Sequence, residues 1–302
     1  MLIEIAILIF ALFLVWKSSE IVLENSIILS HFFNASEFVV GFLLVSLATS
    51  LPELSIAITS LWQNASSVSV GNVIGSNFAE VTYVFGAILV FQSFSATKDE
   101  RWKASNILML CSLLIFLPLL FPSLLTSFFL IACFFAFAFL AFKQKSKVEK
   151  IEVSKRKALT AFVFFAIGIF LLLTSASFTV KNAIYLASIL NVSGVAIGAT
   201  LVSLGTTLPE LTIGIQSARR GNYELALGDS IGSVAVNSTL VLGVGSLSSP
   251  RLGYNFFIGA FCFLLAASFA SFLLRKNILT KKIVAVLILE YVLFLSVNLW
   301  FA

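Results

Sequence analysis

Ten apolar stretches of membrane-crossing length, joined by short connections, leave this chain few ways to fold. They lie near residues 2–23, 37–61, 68–92, 105–121, 124–142, 158–180, 194–217, 224–247, 254–274 and 283–301. A helix of ~20 residues spans the hydrocarbon core of a bilayer, where every backbone amide must be satisfied within the protein. The sequence therefore predicts an all-α integral membrane protein with ten transmembrane helices. Charged residues make up only 11% of the chain, against about 25% in soluble domains, and little is left over for a soluble domain. Glu4 stands where a secretory signal would be basic and no small-residue cleavage site stands out, so the first run is expected to remain as a helix.

The net charge of +5 invites a polyanion partner, but its distribution refuses one. With the N-terminus outside, the inner connections hold Lys17, then Lys98, Arg101 and Lys103, then Lys143, Lys145, Lys147, Lys150, Lys155, Arg156 and Lys157, then Arg219 and Arg220, then Arg275, Lys276, Lys281 and Lys282. That is 17 of the 19 basic residues, with only Lys181 and Arg251 outside. The positive-inside rule predicts this bias for short loops. The reading is a multi-pass protein of the cell membrane with both termini outside and no nucleic-acid partner.

A repetition narrows the fold further. Val45-Ser46-Leu47-Ala48-Thr49-Ser50-Leu51-Pro52-Glu53-Leu54 returns 157 residues later as Val202-Ser203-Leu204-Gly205-Thr206-Thr207-Leu208-Pro209-Glu210-Leu211. The charged linker 143–157 separates a first five-helix repeat, 1–142, from a second, 158–302. Five is odd, so the second half enters the membrane upside down and the ten helices form two inverted-topology repeats. Transporters built this way bind substrate near the midplane, on helices interrupted by proline or glycine. Pro52 cannot donate to the carbonyl of Ala48, nor Pro209 to that of Gly205. Those carbonyls need another partner, such as water or a cation.

Ser46, Thr49, Ser50 and Glu53 recur at helical spacing and share a face, as do Ser203, Thr206, Thr207 and Glu210. The next helix of each half adds Asn72, Ser76 and Glu80, and Asp229, Ser233 and Asn237. Gly71, Gly75, Gly228 and Gly232 flank them and read as packing residues that let helices approach closely. Facing one another, the stripes would bring Glu53, Glu80, Glu210 and Asn237 together with hydroxyls and freed carbonyls. Such an all-oxygen site suits Ca²⁺, which takes about 6–8 oxygens in irregular geometry, better than Mg²⁺. No His or Cys reaches it, which argues against zinc or copper, and no Lys or Arg, which argues against anionic substrates. A single intramembrane Glu can be a hydrogen-bonded structural residue, but two in one duplicated context read as functional. Asp229 reads equally as a site residue and as a favourable charge at a helix N-terminus.

Other features read as structural. His31, the single histidine, is placed at the membrane edge near the start of the second helix. Cys111, Cys133 and Cys262 have no regular spacing and read as small buried hydrophobes. Asn34-Ala35-Ser36 and Asn191-Val192-Ser193 match a glycosylation sequon, but their repetition at helix starts favours capping. Lys17, Glu20 and Glu24 form a wetted face on the first helix, and Pro118 and Pro122 mark the turn between the fourth and fifth.

The paired motifs 48–53 with 71–76, and 205–210 with 228–233, resemble the two alpha repeats of the cation/calcium antiporter superfamily, and within it the compact prokaryotic sodium/calcium exchangers. The resemblance spans essentially the whole chain. It implies ten helices, alternating access, calcium bound by Glu53 and Glu210, and sodium sites at Thr49, Ser50, Ser76, Thr206, Thr207 and Ser233. The chain departs from the family's pattern in carrying the acid Glu80 and the amide Asn237 where the exchangers place amide and acid. Ala48 and Thr207 stand for the usual Gly and Ser.

The expectation is an antiporter exchanging Ca²⁺ for Na⁺, neither an enzyme nor dependent on a cofactor, with those ions and the lipid bilayer as its partners and a monomer as its state. A calcium/proton exchanger is the nearest alternative. An intramembrane acid–base enzyme lacks a nucleophile or histidine beside the glutamates, and saturable countertransport would exclude a passive channel.

Overall fold

A computed structural model describes residues 2–62, 66–91, 97–142, 152–189, 206–248, 254–278 and 281–301. All regular elements among them are helical. Helix α1 (Leu2–Phe33) leads to α2 (Glu37–Val40), a π-helical turn (Gly41–Val45), α3 (Ser46–Thr49) and, past Ser50, α4 (Leu51–Trp62). Then α5 (Ser66–Ala79) passes through a second π turn (Glu80–Val84) into α6 (Phe85–Phe91). Helices α7 (Lys98–Leu114), α8 (Phe116–Leu120) and α9 (Leu124–Phe142) follow, and α10 (Lys155–Ile189) begins the second half. There α11 (Leu208–Arg219) precedes α12 (Tyr223–Val236), a third π turn (Asn237–Val241) and α13 (Leu242–Gly245). Helices α14 (Tyr254–Lys276) and α15 (Lys281–Phe301) close the chain.

Six helical bodies among the described residues are long and apolar enough to cross a membrane, or seven if Ile9–Phe33 and Glu37–Thr49, bent by 116°, form one broken span. Exposed Leu125, Phe128, Phe135 and Phe139 on α9 suit a hydrocarbon surround rather than water. Two apolar cores hold the molecule together. Leu23 and Leu29 of α1 pack with Leu172 of α10 in one, while Ile88, Leu108, Leu130, Leu227 and Phe263 lie in the other.

Several boundaries differ from the hydropathy reading. Helix α1 continues to Phe33 instead of ending near 23, which puts His31 in its last turn and not at the start of the next helix. The fall in hydropathy there is not a helix stop. Asn25, Ser26 and Ser30 return their side chains to the carbonyls of Ile21, Val22 and Ile27 at 2.7–2.8 Å. Glu20 and Glu24 meet Arg220 at 3.7 and 2.9 Å, and Gln216 donates to the Trp16 carbonyl at 2.7 Å and to Ser19 Oγ at 3.0 Å. The wetted face of α1 thus docks on the end of α11. The helix stops where Asn34 turns left-handed, with φ 51°, and Ser36 caps α2 by accepting from Val39 N at 3.3 Å. That is the capping role expected of the first triplet, and Asn191–Ser193 lie outside the described residues. Helix α7 starts at Lys98 because Thr97 and Glu100 form a capping box. Pro118 lies inside α8 and only Pro122 follows it.

Helix α12 is buried along its length because it packs directly on the backbone of α2 and the first π turn. A Cβ on Gly228 would collide with the Phe38 carbonyl, and one on Gly232 would lie 2.6 Å from the Phe42 carbonyl oxygen. From the other side, a Cβ on Gly41 would lie 2.9 Å from the amide nitrogen of Asp229. The packing role read for the glycines describes this second-half pair. Around Gly71 the nearest atom would be Phe256 Cε1 at 3.5 Å, and nothing among the described residues comes within 4 Å at Gly75.

Candidate cation site

Both acidic motifs fold the same way. Helix geometry breaks at Ser50, with φ −80° and ψ 7°, and at Thr207, with φ −95° and ψ 7°. Proline fits a helix only in its first turn, so Pro52 and Pro209 oblige the chain to restart just before them. Glu53 and Glu210 thereby fall in the first turns of α4 and α11, where unpaired N–H groups favour negative charge. The S/T-x-x-E spacing could close a capping box. It does not: Thr207 makes no side-chain cap, and Ser50 Oγ has no partner among the described residues.

The next helices bring further acids to the same place. Glu80 opens the second π turn and Asn237 the third, 157 residues later. Each of these three π turns has a hydroxyl within it or just after it on an i−4 carbonyl at 2.5 Å: Ser46 on Phe42, Thr82 on Phe78 and Thr239 on Ala235. Such back-bonding competes with the helix's own amide bonds and distorts it, and π turns are frequent at functional sites.

Glu53, Glu80, Glu210 and Asp229 are each at most 2% exposed. Their charges act on one another: Glu210 is within electrostatic reach of Glu53, Glu80 and Asp229, and Glu80 of Asp229 and Glu53. Ser76 Oγ donates to Glu53 Oε1 at 3.3 Å, Thr206 also bonds the Glu53 carboxylate, and Thr49 bonds that of Asp229. Ser230 Oγ donates to Glu80 Oε2 at 2.9 Å, and Asn77 Nδ2 to Ser238 Oγ at 2.8 Å, tying the two halves together. Seven buried oxygens here have no partner among the described residues: Ser50 Oγ, Glu53 Oε2, Glu80 Oε1, Glu210 Oε2, Asp229 Oδ1, Ser233 Oγ and Asn237 Oδ1. An unpaired buried polar atom is costly, and no Lys or Arg stands among the fully buried polar residues described. The arrangement is an acidic, oxygen-rich interior with no fully buried basic side chain among the described residues to balance it.

Most of the expected residues therefore gather: Glu53, Glu80 and Glu210 within electrostatic reach of one another, with Thr49, Thr206, Ser76, Thr207 and Ser50 beside them. Ser46 is turned to its own helix and to Gly232, at the contact between α3 and α12. Ser203 lies outside the described residues. Among those residues, no three acidic, histidine or cysteine side chains converge as a ready-made metal site, so a bound cation would have to draw on hydroxyl, amide and backbone oxygens too. His31 instead lines a separate cavity of about 260 Å³ with Glu37, Asn222 and Glu224. Cys111, Cys133 and Cys262 are free, the first buried and the others half-buried.

Two residues escaped the sequence reading or were undervalued by it. Asp229 is a buried carboxylate inside the cluster. Tyr83, one helical turn past Glu80, hydrogen-bonds the Thr207 hydroxyl and packs its ring 4.7 Å from Tyr291. Its counterpart in the second half is Leu240, so helical spacing from Glu80 was the available signal. Removing the bond should cost about 1 kcal/mol of site order. Tyr83→Phe is expected to fold normally and to weaken cation binding about fivefold, as read by titration calorimetry.

The comparisons with known proteins bear on the fold and the family. The family model for sodium/calcium exchanger proteins matches residues 3–143 and again 160–300. The sodium/calcium exchanger MaX1 of Methanosarcina acetivorans is 29% identical over 81% of this chain and 83% of its own. The inner membrane protein YrbG of Escherichia coli is 26% identical over 83% of this chain and 81% of its own. A solved structure of the sodium-calcium exchanger NCX_Mj superposes with a TM-score of 0.86 at 24% identity, covering 98% of this chain and 99% of that one, a likeness of fold. With the family matched across both halves, and broken helices bearing buried acids in each, the chain belongs to the sodium/calcium exchanger family of membrane proteins.

Proposed function

We propose that this protein is a secondary antiporter that exchanges Ca²⁺ for Na⁺ by alternating access. The observation that carries this reading is the pair Glu53 and Glu210, each buried in the first turn of a broken helix with an oxygen left unpartnered. Ca²⁺ lies between them, completed by Glu80, Asn237, the hydroxyls of Thr49, Ser50, Ser76, Thr206, Thr207 and Ser233, and freed carbonyls. Na⁺ occupies the same oxygens in turn. Holding both sets at once would over-charge a low-dielectric pocket, and closing the pocket empty would bury uncompensated carboxylates. The carrier therefore crosses only when loaded, and exchange follows.

Ten spanning helices in two inverted repeats complete the reading, with both termini outside; the inner linker expected over 143–157 is shortened at its end because α10 already begins at Lys155. The double match of the family model and the similar dihedrals at Ser50 and Thr207 support it. The first and sixth helices, α1 and α10, pack on each other in one core, joined there by Val40, Val45, Ile213 and Leu225 from the elements around the site, and are the candidate moving pair. Calcium uptake into proteoliposomes under imposed sodium, potassium and proton gradients tests the proposal. Uptake should follow the sodium gradient and saturate. Drive by the pH gradient alone would make the protein a calcium/proton exchanger.

A further inference from the structure

Away from the cage, Arg275 stands in the last turn of α14 and is fixed across the seam that this helix makes with α7. Its Nε donates to Ser105 Oγ at 2.6 Å and its Nη2 to Asn106 Oδ1 at 2.8 Å. Its guanidinium carbon lies 4.9 Å from the centre of the Trp102 ring. Those two bonds leave the other guanidinium N–H groups without a partner among the described residues. The ion pairs found among those residues involve Lys17 and Arg220, not Arg275. A guanidinium held over an aromatic ring with part of its fork unspent is preset for a phosphate.

The surroundings fit the same ligand. Lys98, Lys103, Lys276 and Lys282 are exposed at this end of α7, α14 and α15. The one exposed acid described on these three helices is Asp99, because Glu100 is buried in the capping box and Glu290 lies well inside α15. Trp102 is exposed, as aromatic residues at a membrane–water boundary are. Deeper along the seam the surface becomes apolar. Phe272, nearly one turn from Arg275, and Leu110, one turn from Asn106, are exposed, and so are Leu265 and Leu113 beyond them. Leu265 is ten residues from Arg275, about 15 Å along the axis. The strip has a cationic head and a long apolar tail, and a free phosphate would use only the head.

We infer that Arg275, with Trp102, Asn106 and Lys103 around it, is the headgroup site of an anionic phospholipid. The phosphodiester takes the open N–H groups of Arg275, and the acyl chains run along Phe272 and Leu110. Basic recesses between membrane helices hold lipids of this class. The site lies on the face that the charge bias assigns to the cytoplasm, and it does not depend on which ions are exchanged.

The test titrates the purified full-length protein, in uncharged detergent, with phosphatidylglycerol and counts bound lipid by native mass spectrometry. Phosphatidylcholine and glycerol phosphate are parallel probes. The parent protein should retain phosphatidylglycerol in preference to phosphatidylcholine and take up no glycerol phosphate at the same concentration. Arg275→Gln should weaken phosphatidylglycerol binding about fivefold or more. Arg275→Lys should weaken it at least threefold, because a point charge lacks both the fork and the stack. Lys103→Gln should weaken it about threefold, and it decides the matter if the Arg275 variants do not elute as folded protein. Arg156→Gln removes the same charge from the start of α10 and should bind like the parent. Parent-like affinity in a folded Arg275 variant, or in Lys103→Gln where that variant decides, overturns the site. So does an equal loss in Arg156→Gln, which would mean diffuse attraction only. Equal retention of phosphatidylcholine, or uptake of glycerol phosphate as tight as that of the lipid, overturns it as well.

Discussion

Glu53→Gln and Glu210→Gln are each expected to abolish calcium transport without unfolding the protein. Glutamine keeps the volume and one carbonyl oxygen but removes the charge. Calcium affinity depends strongly on the number of charged ligands, so the loss should be on the order of a hundredfold or more. The effect on stability runs the other way. In the ion-free protein both carboxyls are buried and Glu210 lies within reach of the other acids, and removing a buried ionisable group that lacks a basic partner relieves the fold. The variants should therefore melt at or above the temperature of the parent without ions, and gain nothing when calcium is added. A ligand at 100 times its dissociation constant stabilises by about 2.7 kcal/mol, so the parent's calcium-induced rise in melting temperature is measurable and its disappearance diagnostic. Calcium-driven stabilisation surviving in both variants would place the ion elsewhere.

The second large effect is structural. Gly228→Ala puts a methyl group where the Phe38 carbonyl already stands, and backbone cannot rotate aside as a side chain can. Helices α2 and α12 must separate, and overpacking of this kind costs about 1–3 kcal/mol or more. The contact is the one that holds Asp229 against the first half, so the damage should reach the site. Reduced folded yield in detergent and lost calcium binding are the expected readouts, measured by size-exclusion elution and calorimetry. Gly75→Ala, with nothing within 4 Å among the described residues, is the control that should elute normally. Equal tolerance of both would show that the glycine seam does not set the spacing of these helices.

What the sequence could disclose follows from where the chain's rules are local. Apolar length marks each helix, and proline marks each break, because both act through the backbone of their own segment. The interruptions at Ser50 and Thr207 were legible for that reason. Helix ends were less so. Hydropathy falls after residue 23, yet α1 continues because Glu20 and Glu24 find Arg220, almost two hundred residues away. Tyr83 was invisible as a site residue because its partner, Thr207, belongs to the other half. Asp229 was ambiguous for a related reason. Six residues into a helix, it could serve the helix end or the interior, and only the neighbouring Glu80 and Thr49 decide. The π turns have a local cause in Ser46, Thr82 and Thr239, but a hydroxyl one turn from a carbonyl is too common a pattern to single them out.

A cage that mapped onto itself under the pseudo-twofold would greet an ion identically from either leaflet. This one crosses its acids and amides, Asn72 before Glu80 and Asp229 before Asn237, so its two halves are chemically unlike. Gradients fix which way net flux runs. In the proposed exchanger the crossed order sets something else: the concentration at which each compartment loads the carrier, and hence how the same protein is throttled from one side and left open from the other.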